Sequence, residues 1–178
     1  MRLEHSFEVA APPDQAWELL MDIPRVVPCL PGAELTGSTG DDAWSARLSV
    51  KLGPMTMTFD ADVTREEADE EARRSQLVIR ARETRGRGAA TATLHSSLSD
   101  ANGGTRVELV TELAMRGLVA QAGRPVAKDV SAQLVDRFAD CLRGKLSGVE
   151  APELVTTETR PVSLLALLLG SLKRILGR

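Results

Sequence analysis

The chain has 178 residues with 22 Lys and Arg against 25 Asp and Glu, a net charge of -3, and its aromatics are two Trp and three Phe with no Tyr. That length suits one domain with an appendage. Without a basic stripe interleaved with aromatics, the composition excludes a nucleic-acid binder. Cys29 and Cys141 fall in a predicted loop and a predicted helix and lack metal-ligand spacing. A reduced, cytoplasmic compartment is the simplest reading of them, with a single disulfide left open. The opening MRLEHSFEVAAPP has no uninterrupted apolar run, so no signal peptide is expected.

Leu3 to Val9 alternate, with Leu3, His5, Phe7 and Val9 on one face, as in a half-buried strand. Pro12 and Pro13 end it and begin a short helix carrying Trp17, Leu19 and Leu20. A second short helical or turn segment runs from Ile23 to Val27 and stops at Pro28, Pro31 and Gly32. Trp44 to Leu52 alternates again, and after Gly53-Pro54 so do Met55, Met57, Phe59, Ala61 and Val63, which predicts a hairpin with one dry face. The charged run Arg65 to Arg74 reads as a solvated hairpin tip rather than a carboxylate site. Further strands are predicted over Ser75 to Glu83, Gly88 to Leu98 and, past Asn102-Gly103-Gly104, Thr105 to Met115.

From Pro125 to Leu146 the period becomes helical, with Val126, Val130, Leu134, Phe138 and Leu142 recurring every four residues. The fold class is therefore α+β: a curved antiparallel sheet of about seven strands wrapped around this long helix, the economical way to bury every apolar face. Residues 1–148 form this domain. Residues 149–162, with Pro152 and Pro161, read as a flexible linker, and 163–178 as an amphipathic tail. On a helical wheel Leu164, Leu165, Leu168, Leu169, Leu172, Ile175 and Leu176 share one arc opposite Lys173 and Arg174. That stretch rises roughly 20 Å, too short for a hydrocarbon core of about 30 Å, and its basic face suits anionic headgroups. The tail is thus expected to lie in a membrane interface on the cytoplasmic side; covering a patch of its own domain or a partner is the alternative.

This order of elements resembles the START-like, Bet v 1-like (SRPBCC) helix-grip superfamily. Within it, Cys29-Leu30-Pro31-Gly32-Ala33-Glu34, Val50-Lys51-Leu52-Gly53-Pro54-Met55, and Gly117-Leu118-Val119-Ala120 with Gly123-Arg124-Pro125 resemble the carbon monoxide dehydrogenase G-subunit family over about residues 1 to 147. The resemblance implies a molybdenum carbon monoxide dehydrogenase, or a related hydroxylase, as partner.

Catalytic candidates are few. His5 lies on an apolar face and reads as structural, His95 should face water, and no zinc spacing or nucleophile motif occurs. No metal, covalent cofactor or catalytic residue is expected, and the domain reads as non-enzymatic. The inward faces, rich in Ala and Met, should fall short of interior packing density and leave an apolar cavity. Its expected lining is Leu30, Ala46, Leu48, Val50, Met55, Met57, Phe59, Ala90, Ala92, Leu94, Leu109, Leu113, Met115, Leu118, Val119, Val126, Val130 and Leu134. The mouth is expected where the long helix begins, among glycines and rimmed by Arg85, Arg87, Arg116 and Arg124. With the resemblance, tail and cavity predict a carrier of an isoprenoid quinone, menaquinone or ubiquinone, between bilayer and dehydrogenase. The alternatives are a ligand-free membrane adaptor for the dehydrogenase and a cyclase-like small-molecule enzyme.

Overall fold

A computed structural model describes residues 1–52, 55–121 and 123–148 of the chain. The expected linker and the whole tail, including Leu164, Leu165, Leu168, Leu169, Leu172, Lys173, Arg174, Ile175 and Leu176, lie outside the described residues. Among those described, no helix is long and apolar enough to cross a membrane.

Strand β1 (Arg2–Val9) leads through Pro12 into α1 (Pro13–Met21), whose proline occupies a first-turn position where no backbone donor is needed. Helix α2 (Ile23–Val26) starts at Asp22, whose side chain accepts from Arg25 N, and a 3-10 turn (Val27–Cys29) follows. Then come β2 (Ala33–Gly40), β3 (Ala43–Leu52), β4 (Met55–Asp69), β5 (Arg74–Glu83), β6 (Gly88–Ala101) and β7 (Gly104–Gly117). Helices α3 (Leu118–Gln121) and α4 (Gly123–Leu146) complete the described chain.

All neighbouring strands pair antiparallel, in the order β1-β7-β6-β5-β4-β3-β2. Register carries a single face across the sheet. Ala46 stands opposite Ala61, Ala61 opposite Ala81, Ala81 opposite Ala90, and Ala90 opposite Met115. Because directly opposed residues point the same way, the apolar set of each strand meets that of the next. Helix α4 approaches β1 at one edge and β3 near the other. The sheet therefore curves, with its apolar face toward the helix.

Four features differ from the sequence expectation. Strand β2 has no counterpart in it, because AELTGSTG has no sustained apolar alternation, and bulges break its pairing after Leu35 and after Ser38. Strand β4 continues to Asp69, so the tip of that hairpin shrinks to residues 70–73. Residues 118–121, expected as loop, form α3, and α4 begins at Gly123 rather than Pro125. Finally, Cys29 and Cys141 are not free: a disulfide joins the 3-10 turn to α4, with the Cα atoms 5.4 Å apart.

Candidate functional site

The apolar stripe of α4 serves two packed regions. Near its end, Phe138, Ala139 and Leu142 join Phe7, Val9, Trp17, Leu19, Val107 and Leu109 in the larger core. Phe7 and Phe138 meet edge to face with centroids 6.3 Å apart, an arrangement that stabilises beyond area burial. Near its start, Val126 and Val130 pack with Met57, Phe59, Val119, Val50, Ala81, Met115 and Leu118 in a smaller cluster. The residue between these groups on the stripe, Leu134, belongs to neither.

The opposing sheet shows the same interruption. Ala46, Leu48, Ala61, Ile79, Ala90, Ala92 and Leu113 all sit on the inward face by register, yet none belongs to either packed region. Each keeps solvent-accessible surface. The structure thus distributes the expected lining in three ways. Leu30, Leu94 and Leu109 belong to the large core. Val50, Met57, Phe59, Met115, Leu118, Val119, Val126 and Val130 build the cluster near the start of α4. Ala46, Leu48, Ala90, Ala92, Leu113 and Leu134 are partly exposed and belong to neither group, and the side chain of Met55 lies outside the described residues. Ala61 and Ile79, which were not placed in the expected lining, share that position between the two groups.

The paired strand ends at Leu52 and Met55, the β5–β6 turn and the β7–α3 junction all lie at the sheet end where α4 begins. Two glycines there serve close packing rather than opening. A Cβ on Gly88 would stand 2.6 Å from Val119 Cγ2, and Gly117 has φ +67°. They seat α3 against the β6–β7 end, where Leu118 N donates to Arg87 O at 2.7 Å.

Sequence reading missed Glu83, the most unusual side chain at this end. Register places it on the inward face opposite Phe59, and its side chain is only 1% exposed. Backbone N–H groups of Arg85 and Arg87 each donate to Oε2 at 3.0 Å, and Arg87 Nη2 donates to Oε1 at 3.0 Å. The Arg87 side-chain hydrogen bond, helped by the backbone donors, holds the carboxyl below its ordinary range, while burial pushes it up. Arg87 is raised in turn by the same partner. Glu83 is thus a clasp for the turn over residues 84–87, and Arg87 is committed to it. The signal was present in the sequence: Leu77, Ile79, Ala81 and Glu83 share a strand phase, so the carboxylate had to find a partner.

Other inward polar groups are satisfied locally. His5 Nε2 lies 2.8 Å from Ser131 Oγ on α4, and Ser75 Oγ 2.6 Å from Ser96 Oγ. His95 is exposed. Among the described residues, no group of three or more His, Cys, Asp or Glu side chains could hold a metal.

An open seven-stranded antiparallel sheet with one long helix over its apolar face and short helices after its first strand defines a START-like protein. Solved structures share the fold. A conserved protein from Geobacillus kaustophilus superposes with a TM-score of 0.74 at 19% identity, covering 85% of this chain and 98% of the other. A START superfamily protein from Mycobacterium smegmatis gives 0.53 at 16% identity over 83% and 98% of the two chains. The ZhuI aromatase/cyclase from Streptomyces sp. R1128 gives 0.53 at 20% over 83% and 93%. The chain belongs to the carbon monoxide dehydrogenase G-subunit (CoxG) family, whose model matches residues 6–147. No curated protein matches it in sequence.

Proposed function

We propose that this protein is a non-enzymatic carrier that holds an isoprenoid quinone, menaquinone or ubiquinone, between α4 and the sheet and delivers it to a molybdenum carbon monoxide dehydrogenase. The observation that supports this reading is the interruption at Leu134: the apolar stripe of α4 and the apolar face of the sheet both continue across partly exposed residues that belong to neither packed core. Leaving apolar surface accessible forgoes about 25 cal/mol per Å², so a gap lined by Ala and Leu is costly unless a ligand occupies it. A long, flexible hydrocarbon suits a space between a helix and a sheet, and Met57 and Met115 beside it adapt to varied shapes.

The dehydrogenase partner is supported by the family to which the chain belongs. An apolar electron acceptor stays in the bilayer, and shielding it from water lets it reach a soluble enzyme. The Leu-rich, basic tail supports attachment to the cytoplasmic face of the membrane. The disulfide counts against a reducing compartment, because such bonds are rare where thiols are kept reduced, so cytoplasmic attachment requires this bond to persist there. Cys29 is buried at 4% exposure, which shields the bond from reductants.

The test is to load the purified full chain with menaquinone in detergent, remove free quinone, and add the dehydrogenase and carbon monoxide. Reduction of the bound quinone that stops when the chain is omitted supports the reading. No uptake of quinone, or equal reduction without the chain, overturns it.

A further inference from the structure

The net charge of -3 conceals a strong polarity along the strand direction. The described residues at the α4-entry end, 30–33, 51–52, 55–57, 82–88, 114–121 and 123–124, carry five arginines and one lysine against one carboxylate, the buried and clasped Glu83. The opposite end, residues 13–22, 38–43, 66–74 and 99–106, carries eleven carboxylates against three arginines. Strands of 10 to 14 residues separate the two ends by roughly 30–45 Å, several Debye lengths at physiological salt. A charged surface touching one end is therefore screened from the other.

At the basic end, Lys51, Arg82, Arg85, Arg116 and Arg124 are exposed, and none forms an ion pair among the described residues. Asp60, beside Arg82 in the sheet, already accepts from Arg47. Arg82, Arg87 and Arg116 border one shallow depression. Elsewhere Arg65 pairs with Asp42, Arg73 with Asp14 and Arg106 with Glu8, while Arg74, Arg80 and Arg137 also form no ion pair among the described residues but do not gather at one end. Unmatched cations thus gather at the end of the sheet where Leu118 and Met115 are partly accessible.

We infer that this end docks directly on an anionic lipid surface, independently of the tail, and so turns the start of α4 toward the bilayer. The inference rests on the carrier reading above and adds its orientation. Each Lys or Arg near such a surface favours binding, whereas the acidic far end is repelled, so the polarity selects one orientation out of many.

The experiment measures menaquinone uptake by the full chain from vesicles of phosphatidylcholine alone and of phosphatidylcholine with about 30% phosphatidylglycerol. Uptake should be at least about tenfold faster from the anionic vesicles at low salt, and the difference should fade at high salt. Arg82→Glu/Arg85→Glu/Arg116→Glu should erase the difference. The same triple combined with Glu66→Lys/Glu70→Lys/Glu71→Lys restores the original net charge with the polarity between the two ends erased, and uptake should stay low. Restored uptake in that combined variant, or equal uptake from both vesicle types by the parent chain, overturns the inference. Loading from detergent separates the two claims: a chain that loads from detergent but ignores anionic lipid refutes only the docking, while one that never loads refutes the carrier. If the triple variant instead keeps lipid-dependent uptake and loses binding to the dehydrogenase, the basic end serves an acidic protein partner and the membrane inference fails.

Discussion

Replacing Ala92 with Phe places a ring where the account puts the ligand. Ala92 lies between Ile79 and Leu113 in the register, faces α4 and keeps accessible surface. In a closed core, adding a phenyl group would force its neighbours apart and cost about 1–3 kcal/mol of stability. Into an open gap the ring enters with little strain, and its own burial offsets the loss. The ring would also displace about 100 Å² of ligand contact, which at about 25 cal/mol per Å² is about 2.5 kcal/mol, or about 60-fold weaker binding. Urea denaturation and menaquinone titration of the same preparation read both quantities. Stability within about 1 kcal/mol of the parent together with strongly weakened binding is expected. A large loss of stability would show that the interior is closed, and unaltered binding in a stable variant would refute the placement of the ligand.

Glu83→Gln tests the clasp through pH. Because folding favours the ionised carboxylate, its contribution is complete above the ordinary carboxylate range and is lost as pH falls through the depressed folded value. The parent should therefore lose stability on acidification more steeply than the Gln variant in urea melts from about pH 6 to pH 2. Cys141→Ser opens a cross-link spanning 112 residues and should lower stability by about 2–4 kcal/mol, with the parent following it when reductant is added to unfolded protein. His5→Ala removes the contact to Ser131 and should cost about 1 kcal/mol in urea while leaving quinone uptake intact. Loss of uptake in a folded His5 variant would give that histidine a role in the ligand site.

Much of the sheet was legible because alternation and register obey one rule. The apolar phases of Leu3–Val9, Trp44–Leu52 and Thr105–Met115 each pointed inward, and antiparallel pairing joined them onto one face. Strand β2 was not legible, since an edge strand of Gly, Ser and Thr has little apolar face to bury and so carries no period. The stripe from Val126 to Leu142 revealed α4 but not that Leu134 would fall outside both packed clusters, because the stripe looks the same whichever cluster its residues join. Pairing of Cys29 with Cys141 depends on the 3-10 turn meeting the far half of α4, a proximity set by the whole fold. The basic end was legible in part, as Arg85, Arg87, Arg116 and Arg124 beside the start of the long helix, whereas its contrast with an acidic far end was hidden for a related reason. Their charges are interleaved in sequence and separate only when successive hairpins sort alternate turns to opposite ends.

The central claim is that the space beside Leu134 holds an apolar lipid. Organic extraction and mass spectrometry of the full chain purified from its native membranes test it most directly. An isoprenoid quinone near one per chain in the parent, and absent from the Ala92→Phe variant prepared alongside, is the predicted result. An extract without quinone or other apolar lipid, from protein that is folded and membrane-associated, would contradict it.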